Sequence, residues 1–172
     1  MQHIPFHYGT LEDVQREAAS LNAFLPCSED VQCLFEPLLI HGHTLSNRIG
    51  FQAMEGTDGE ENGAPGKLTI RRYERFAKAG PGLIWFEAVA TLPEARASAH
   101  QLSLNEDNVD AFRRLLDQIR ETSLRENGSV PLIIMQATNS GRYAKPHGVP
   151  EPLIAYHCPP LEDTPLSDDR IV

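Results

Sequence analysis

Three short apolar runs, at residues 47–54, 83–86 and 130–135, constrain this chain more than any other feature. Each is too short for a buried helix, and amphipathic segments separate them. Ile70, Tyr73, Phe76 and Ala77 predict one face of a helix over about 67–79. Gly80 then stands at the expected C-terminal cap, and Pro81 blocks continuation. Val109, Phe112, Leu115, Leu116 and Ile119 predict a second helix over about 106–122, opened by Asn105 and closed off by Gly128. Strands that read apolar throughout, alternating with amphipathic helices, predict βα units on a parallel sheet buried on both faces.

Two architectures accommodate that pattern, an open doubly wound sheet and a (β/α) barrel. After the first run there is neither GxGxxG nor GxxxxGK[ST], which disfavours the nucleotide-binding open sheet and leaves the barrel as the expected class. Upstream, Thr10 followed by Glu12 and Asp13 predicts a capped helix over about 11–22. Residues 34–40 predict a short extended segment ending in a turn at His41, Gly42 and His43.

Composition excludes several functions. A formal net charge of -9 and a pI near 5.2 give no long-range attraction for nucleic acid or an anionic membrane. Cys27, Cys33 and Cys158 are odd in number and lack CxxC spacing, as expected of free thiols in a cytoplasmic protein. The start MQHIPFHYGT does not have the form of a signal peptide, and no run reaches the ~18 apolar residues of a membrane span. His41, His43, His100, His147 and His157 lack the spacing of a metal site, and no GxSxG supports a hydrolase. An aldolase-type barrel would need a Lys at a strand end, and none stands there.

Barrel enzymes keep their chemistry at the carboxyl ends of the strands. Here those ends read Ala53, Met54, Glu55 and Gly56, then Glu87 and Ala88, then Gln136 with Asn139 and Arg142. All three runs turn polar or small at the same end, which predicts one shared site. Gln136 either satisfies neighbouring backbone or reads a planar heterocycle through its paired donor and acceptor. Ala53 and Ala88 are core alanines or leave room for a flat ring. Glu55 and Glu87 are acid–base groups, orienters of backbone donors, or solvent-facing carboxylates. Arg142 is an anion-binding residue or an ordinary loop arginine.

The stretches LFEPLLIHGHTLSNRIGFQAMEG, RRYERFAKAGPGLIWFEAVATLPEAR and IIMQATNSGRY, in that order, resemble the old yellow enzyme family of NADH:flavin oxidoreductases. The resemblance runs from about Leu34 to the C-terminus and leaves 1–33 as an N-terminal helical extension. It implies a TIM (β/α)8 barrel, of which only the first three βα units are read here. It also implies non-covalent FMN, NAD(P)H as electron donor, and a small-molecule activated alkene or enone as acceptor. By position, Ala53, Met54, Glu55, Ala88 and Gln136 would contact the flavin, with Asn139 and Arg142 on the substrate side; no catalytic residue is assigned. Three departures accompany it: Ala53 for the usual Pro, Ala95 for the Gly of Pro-Glu-Gly-Arg, and Asn139 where many members have His.

Further expectations follow from the three strands. Ser167, Asp168 and Asp169 announce a third helix that would be cut off within about one turn. The barrel would be partial, with an exposed inner face open to a complementing C-terminal half or to self-association. The chain alone would hold FMN weakly and be inactive. The alternative is a non-catalytic remnant or interaction module.

Overall fold

The computed structural model describes residues 5–162 and 166–172, so the first four residues of the start read for a leader lie outside it. The chain divides into two units, Met1–Cys33 and Leu34–Val172. The first carries helix α1, Leu11–Ser20, opened by a capping box in which Thr10 Oγ1 accepts the Asp13 N–H while the Asp13 carboxylate accepts the Thr10 N–H. It stops two residues short of the expected end, and it buries no residue.

The second unit opens with a hairpin, β1 Leu38–Ile40 and β2 His43–Leu45, turned by His41 and Gly42, both with positive φ. The expected extended segment is thus shorter: a 3₁₀ turn, Gln32–Phe35, occupies its first part. The parallel sheet follows, with β3 Gly50–Phe51, β4 Leu83–Ala90 and β5 Leu132–Thr138 in that spatial order. Helix α2, Lys67–Ala79, has the expected bounds, and Gly80 ends it in the left-handed region. Helix α3, Val109–Asn127, starts and ends later than the apolar stripe alone suggests. Asn105 does not cap it directly. Its carboxamide oxygen accepts the N–H groups of Asp107 and Asn108, forming a preliminary turn, and buried Asn108 anchors that turn to the carbonyls of Ser103 and Asn62.

The core lies between the sheet and these helices. Tyr73 stacks on Phe86 at 4.1 Å, Phe51 stacks on Phe76 at 4.2 Å, and Phe112, Leu115 and Ile119 of α3 close the layer. Asn127 and Ser123 of α3 donate to the Ala77 carbonyl, which α2 leaves unpaired near its C-terminus. Asn47 clips the entry to β3 onto the α2–β4 turn by donating to the Gly80 carbonyl and accepting from Gly82.

Three expectations are corrected. The first apolar run forms a strand of only two residues, Gly50–Phe51, paired with Leu83 and Ile84. Further along the same edge, the segment through Leu102 and Leu104 joins β4 at Ala90. The sheet is not buried on both faces: Trp85 is 43% exposed, and Gln136 and Ala137 are exposed. The acids after Ser167 form a 3₁₀ turn, Asp168–Arg170, rather than an α-helix start; the Arg170 carbonyl and the Val172 N–H are taken by Ile154.

Candidate functional site at the strand ends

A single irregularity in β4 decides which side chains meet. Phe86 pairs with Met135 and Ala88 with Gln136, so Glu87 is an extra residue outside the ladder. Strict alternation would turn Ala88 toward the helices after Ile84 and Phe86. Instead Val89 joins them in the core. Ala88 therefore shares the helix-free face with Trp85, beside Gln136, and Gln136 shares it with Ile134, the partner of Trp85. Two of the five residues expected at a common site are thereby cross-strand neighbours.

The bulged residue ties in the other three. The buried Glu87 carboxylate accepts the Gly56 N–H at 3.0 Å through one oxygen and Arg72 Nη2 at 2.7 Å through the other. Arg72 also grips Asp58 with both terminal nitrogens, at 2.6 and 3.1 Å, and Thr69 Oγ1 donates to the same carboxylate at 2.6 Å. The loop that follows β3 and carries Ala53, Met54 and Glu55 is thus fastened at Gly56 to β4 and at Asp58 to α2. Arg72 holds Asp58 below the usual carboxylate range, whereas burial, reinforced by the Glu87 carboxylate, raises Glu55. The Glu87 N–H donates to the Tyr73 hydroxyl at 2.7 Å, and burial pushes that phenol up.

The two residues expected on the substrate side, Asn139 and Arg142, are bound within the segment after β5. Asn139 accepts the Gly141 N–H at 2.8 Å and so shapes its own turn. Arg142 donates to Glu162 at 2.9 Å and to the Tyr156 carbonyl, and lies over the Tyr156 ring. Its guanidinium is held by a carboxylate whose other hydrogen bonds come from Cys158, His157 and Leu166. These contacts, the Cys158 N–H foremost, bring Glu162 down to about 2.

Arg96 is buried on the carbonyls of Gln101, Glu61 and Ala99 and binds no carboxylate among the described residues. It lies in an open cleft of about 800 Å³, lined also by Glu94, His100, His147 and Glu151, that contains none of the five strand-end residues. Volume favours that cleft. Convergence of strand ends favours the helix-free face of β4 and β5, where Trp85 and Gln136 are exposed and Ala88 is buried beside them. Arg72 and Asp58 were missed in the sequence and Tyr73 was read only as core, although Thr69 and Arg72 stand three apart on α2, a spacing that puts both on one loop-facing stripe.

The chain matches the model of the NADH:flavin oxidoreductase / NADH oxidase family over residues 33–165. It belongs to that family. It is 25% identical over 125 residues to a probable flavin mononucleotide-dependent alkene reductase of Leishmania infantum, covering 72% of this chain and 32% of that protein. Among solved structures it resembles the old yellow enzyme of a Pichia species, at TM-score 0.57 and 20% identity over 65% of this chain and 28% of that one. The old yellow enzyme from Trypanosoma cruzi is similar at TM-score 0.56 and 22% identity, over 68% and 29%. The fold shared with these structures is that of the TIM-barrel family, and the described residues supply three parallel strands of it. The chain spans roughly a third of the length of these relatives. No described helix is long and apolar enough to cross a membrane.

Proposed function

We propose that this polypeptide forms one wall of an FMN site in an NAD(P)H-dependent ene-reductase. The observation that carries the reading is the juxtaposition of Ala88 and Gln136 on the helix-free face, next to a loop fastened by Glu87. This donor set fits a flavin: a small residue lets a planar ring approach the backbone, and a neighbouring carboxamide donates and accepts at one edge. Gln136 would hydrogen-bond the pyrimidine side of the ring. Ala88 and the backbone of Ala53 and Met54 would line it, and Glu55 would stand toward its reactive edge. When bound, FMN supplies hydride acceptance from NAD(P)H and hydride donation to an electron-poor alkene or enone. The chain's own part is to orient the ring and keep water from one side of it. Asn139 and Arg142, already committed to their own loops, are left out of this proposal.

Further barrel strands pack against the open face in this reading, and the phosphate is bound by residues beyond those described here. Two arginines close to the strand ends, Arg72 and Arg142, are each neutralised by carboxylates. The 172-residue polypeptide by itself should therefore bind FMN only in the range of roughly 0.1–1 mM and show no enone-dependent NAD(P)H oxidation. Flavin fluorescence quenching tests this, with Gln136→Leu weakening the interaction about tenfold through loss of its hydrogen bonds. Identical titrations for the two proteins contradict the role of Gln136. Stoichiometric micromolar binding contradicts the one-walled site.

A further inference from the structure

The guanidinium of Arg72 sits between two carboxylates from different elements, and its position has a consequence for Gly56. A Cβ added at Gly56 would lie 2.2 to 2.5 Å from Arg72 Nη2, Nη1 and Cζ, so a side chain there must shift the guanidinium. The close approach is mutual: Gly56 gives Arg72 room, and Arg72 holds Glu87 where its second oxygen takes the Gly56 N–H. The Glu87 side chain is 2% exposed, and burying such a group is costly unless it is paired and hydrogen-bonded, as it is to Arg72 and Gly56. Asp58 and Thr69 fix the far side of Arg72. Helix α2, strand β4 and the loop after β3 are thereby locked through one cation.

We infer that the Asp58–Arg72–Glu87 network is a positioning latch, which sets the backbone of residues 53–56 for the flavin edge. The assignment rests on the FMN reading above only for its last clause; the latch itself is a property of the flavin-free chain. Arg72, Asp58 and Glu87 are positioning residues here, since they act through the Gly56 backbone. The latch also explains the bulge. An in-register Glu87 would share the helix-free face with Trp85, away from Arg72 on α2.

The test uses the full 172-residue chain and reads amide hydrogen exchange at positions 54–57, with and without FMN. Glu87→Gln keeps one oxygen, which the Arg72 cation should take, and turns a donor NH2 toward the Gly56 N–H. It should speed exchange at position 56 on the order of 10- to 100-fold, the range expected for losing a charge-assisted hydrogen bond. Gly56→Ala should do the same at its own amide through displacement of Arg72, without touching the core, which keeps the test open should Glu87→Gln fail to fold. Ile119→Val, a core truncation remote from the loop, should leave exchange at 54–57 as in the parent. Unchanged exchange in both latch variants, or equal acceleration in Ile119→Val, overturns the latch.

The FMN arm separates the two claims. If the parent binds FMN and Glu87→Gln binds several-fold more weakly with a changed flavin absorbance band, the positioning role stands. Equal binding and identical spectra, despite lost protection at position 56, overturn it. If the parent binds no FMN at all, the function proposed above fails while the exchange data still decide the latch.

Discussion

Tyr73→Phe is a sharp test of how this fold is assembled, because it removes one oxygen and leaves the ring. The Tyr73 hydroxyl accepts the N–H of Glu87, the residue that the bulge excludes from the β4–β5 ladder. Tyr73 is 1% exposed, so no water replaces the lost acceptor. An unsatisfied buried donor costs about 1–3 kcal/mol. The stack on Phe86, at 4.1 Å and 10° between planes, is retained, so little packing energy is added. With an unfolding entropy of about 2.1 cal/mol/K per residue over 172 residues, that cost lowers Tm by roughly 3–8 °C. Differential scanning calorimetry measures the shift, and Tyr73→Leu, which also loses the ring, should fall further. A Tm for Tyr73→Phe within about 1 °C of the parent, with Glu87 amide exchange unchanged, would refute the claim that this hydroxyl holds the bulge.

The segment after β5 should respond to acid. Glu162 has its folded pKa brought down to about 2 from an ordinary 4.5, so its contribution is fully present above about pH 4.5 and is lost as pH falls toward 2. Amide shifts of Cys158 should titrate with a midpoint near 2, and Glu162→Gln should abolish the transition; a midpoint near 4.5 in the parent contradicts the assigned contacts.

How much of this was legible beforehand varied with the kind of contact. The bounds of α2 followed from Tyr73, Ala77 and Gly80, where apolar period and cap coincide. The parallel sheet followed from the alternation of runs. The length of β3 did not: the apolar run continues to Met54, while the ladder with β4 ends at Phe51 and the loop beyond is held by Glu87 at Gly56. The bulge at Glu87 was also invisible: LIWFEAVA has no glycine or break to announce it. Yet the bulge is what places Ala88 beside Gln136, so the strand-end residues were read for their type while their meeting depended on a register shift. Arg142 illustrates the converse. It reads as an available cation until Glu162, twenty residues on, is seen to hold it. Long-range polar pairing of this kind leaves no local periodicity to read.

The central claim is that the ends of β4 and β5, with the loop after β3, form a surface for a flat redox ring. Amide chemical-shift mapping of the ¹⁵N-labelled chain during titration with FMN to millimolar concentration tests it most directly. The account predicts perturbations at Ala53, Met54, Ala88 and Gln136, with little change in the cleft around Arg96 and His147. Perturbations confined to that cleft, or none that saturate anywhere, would contradict it.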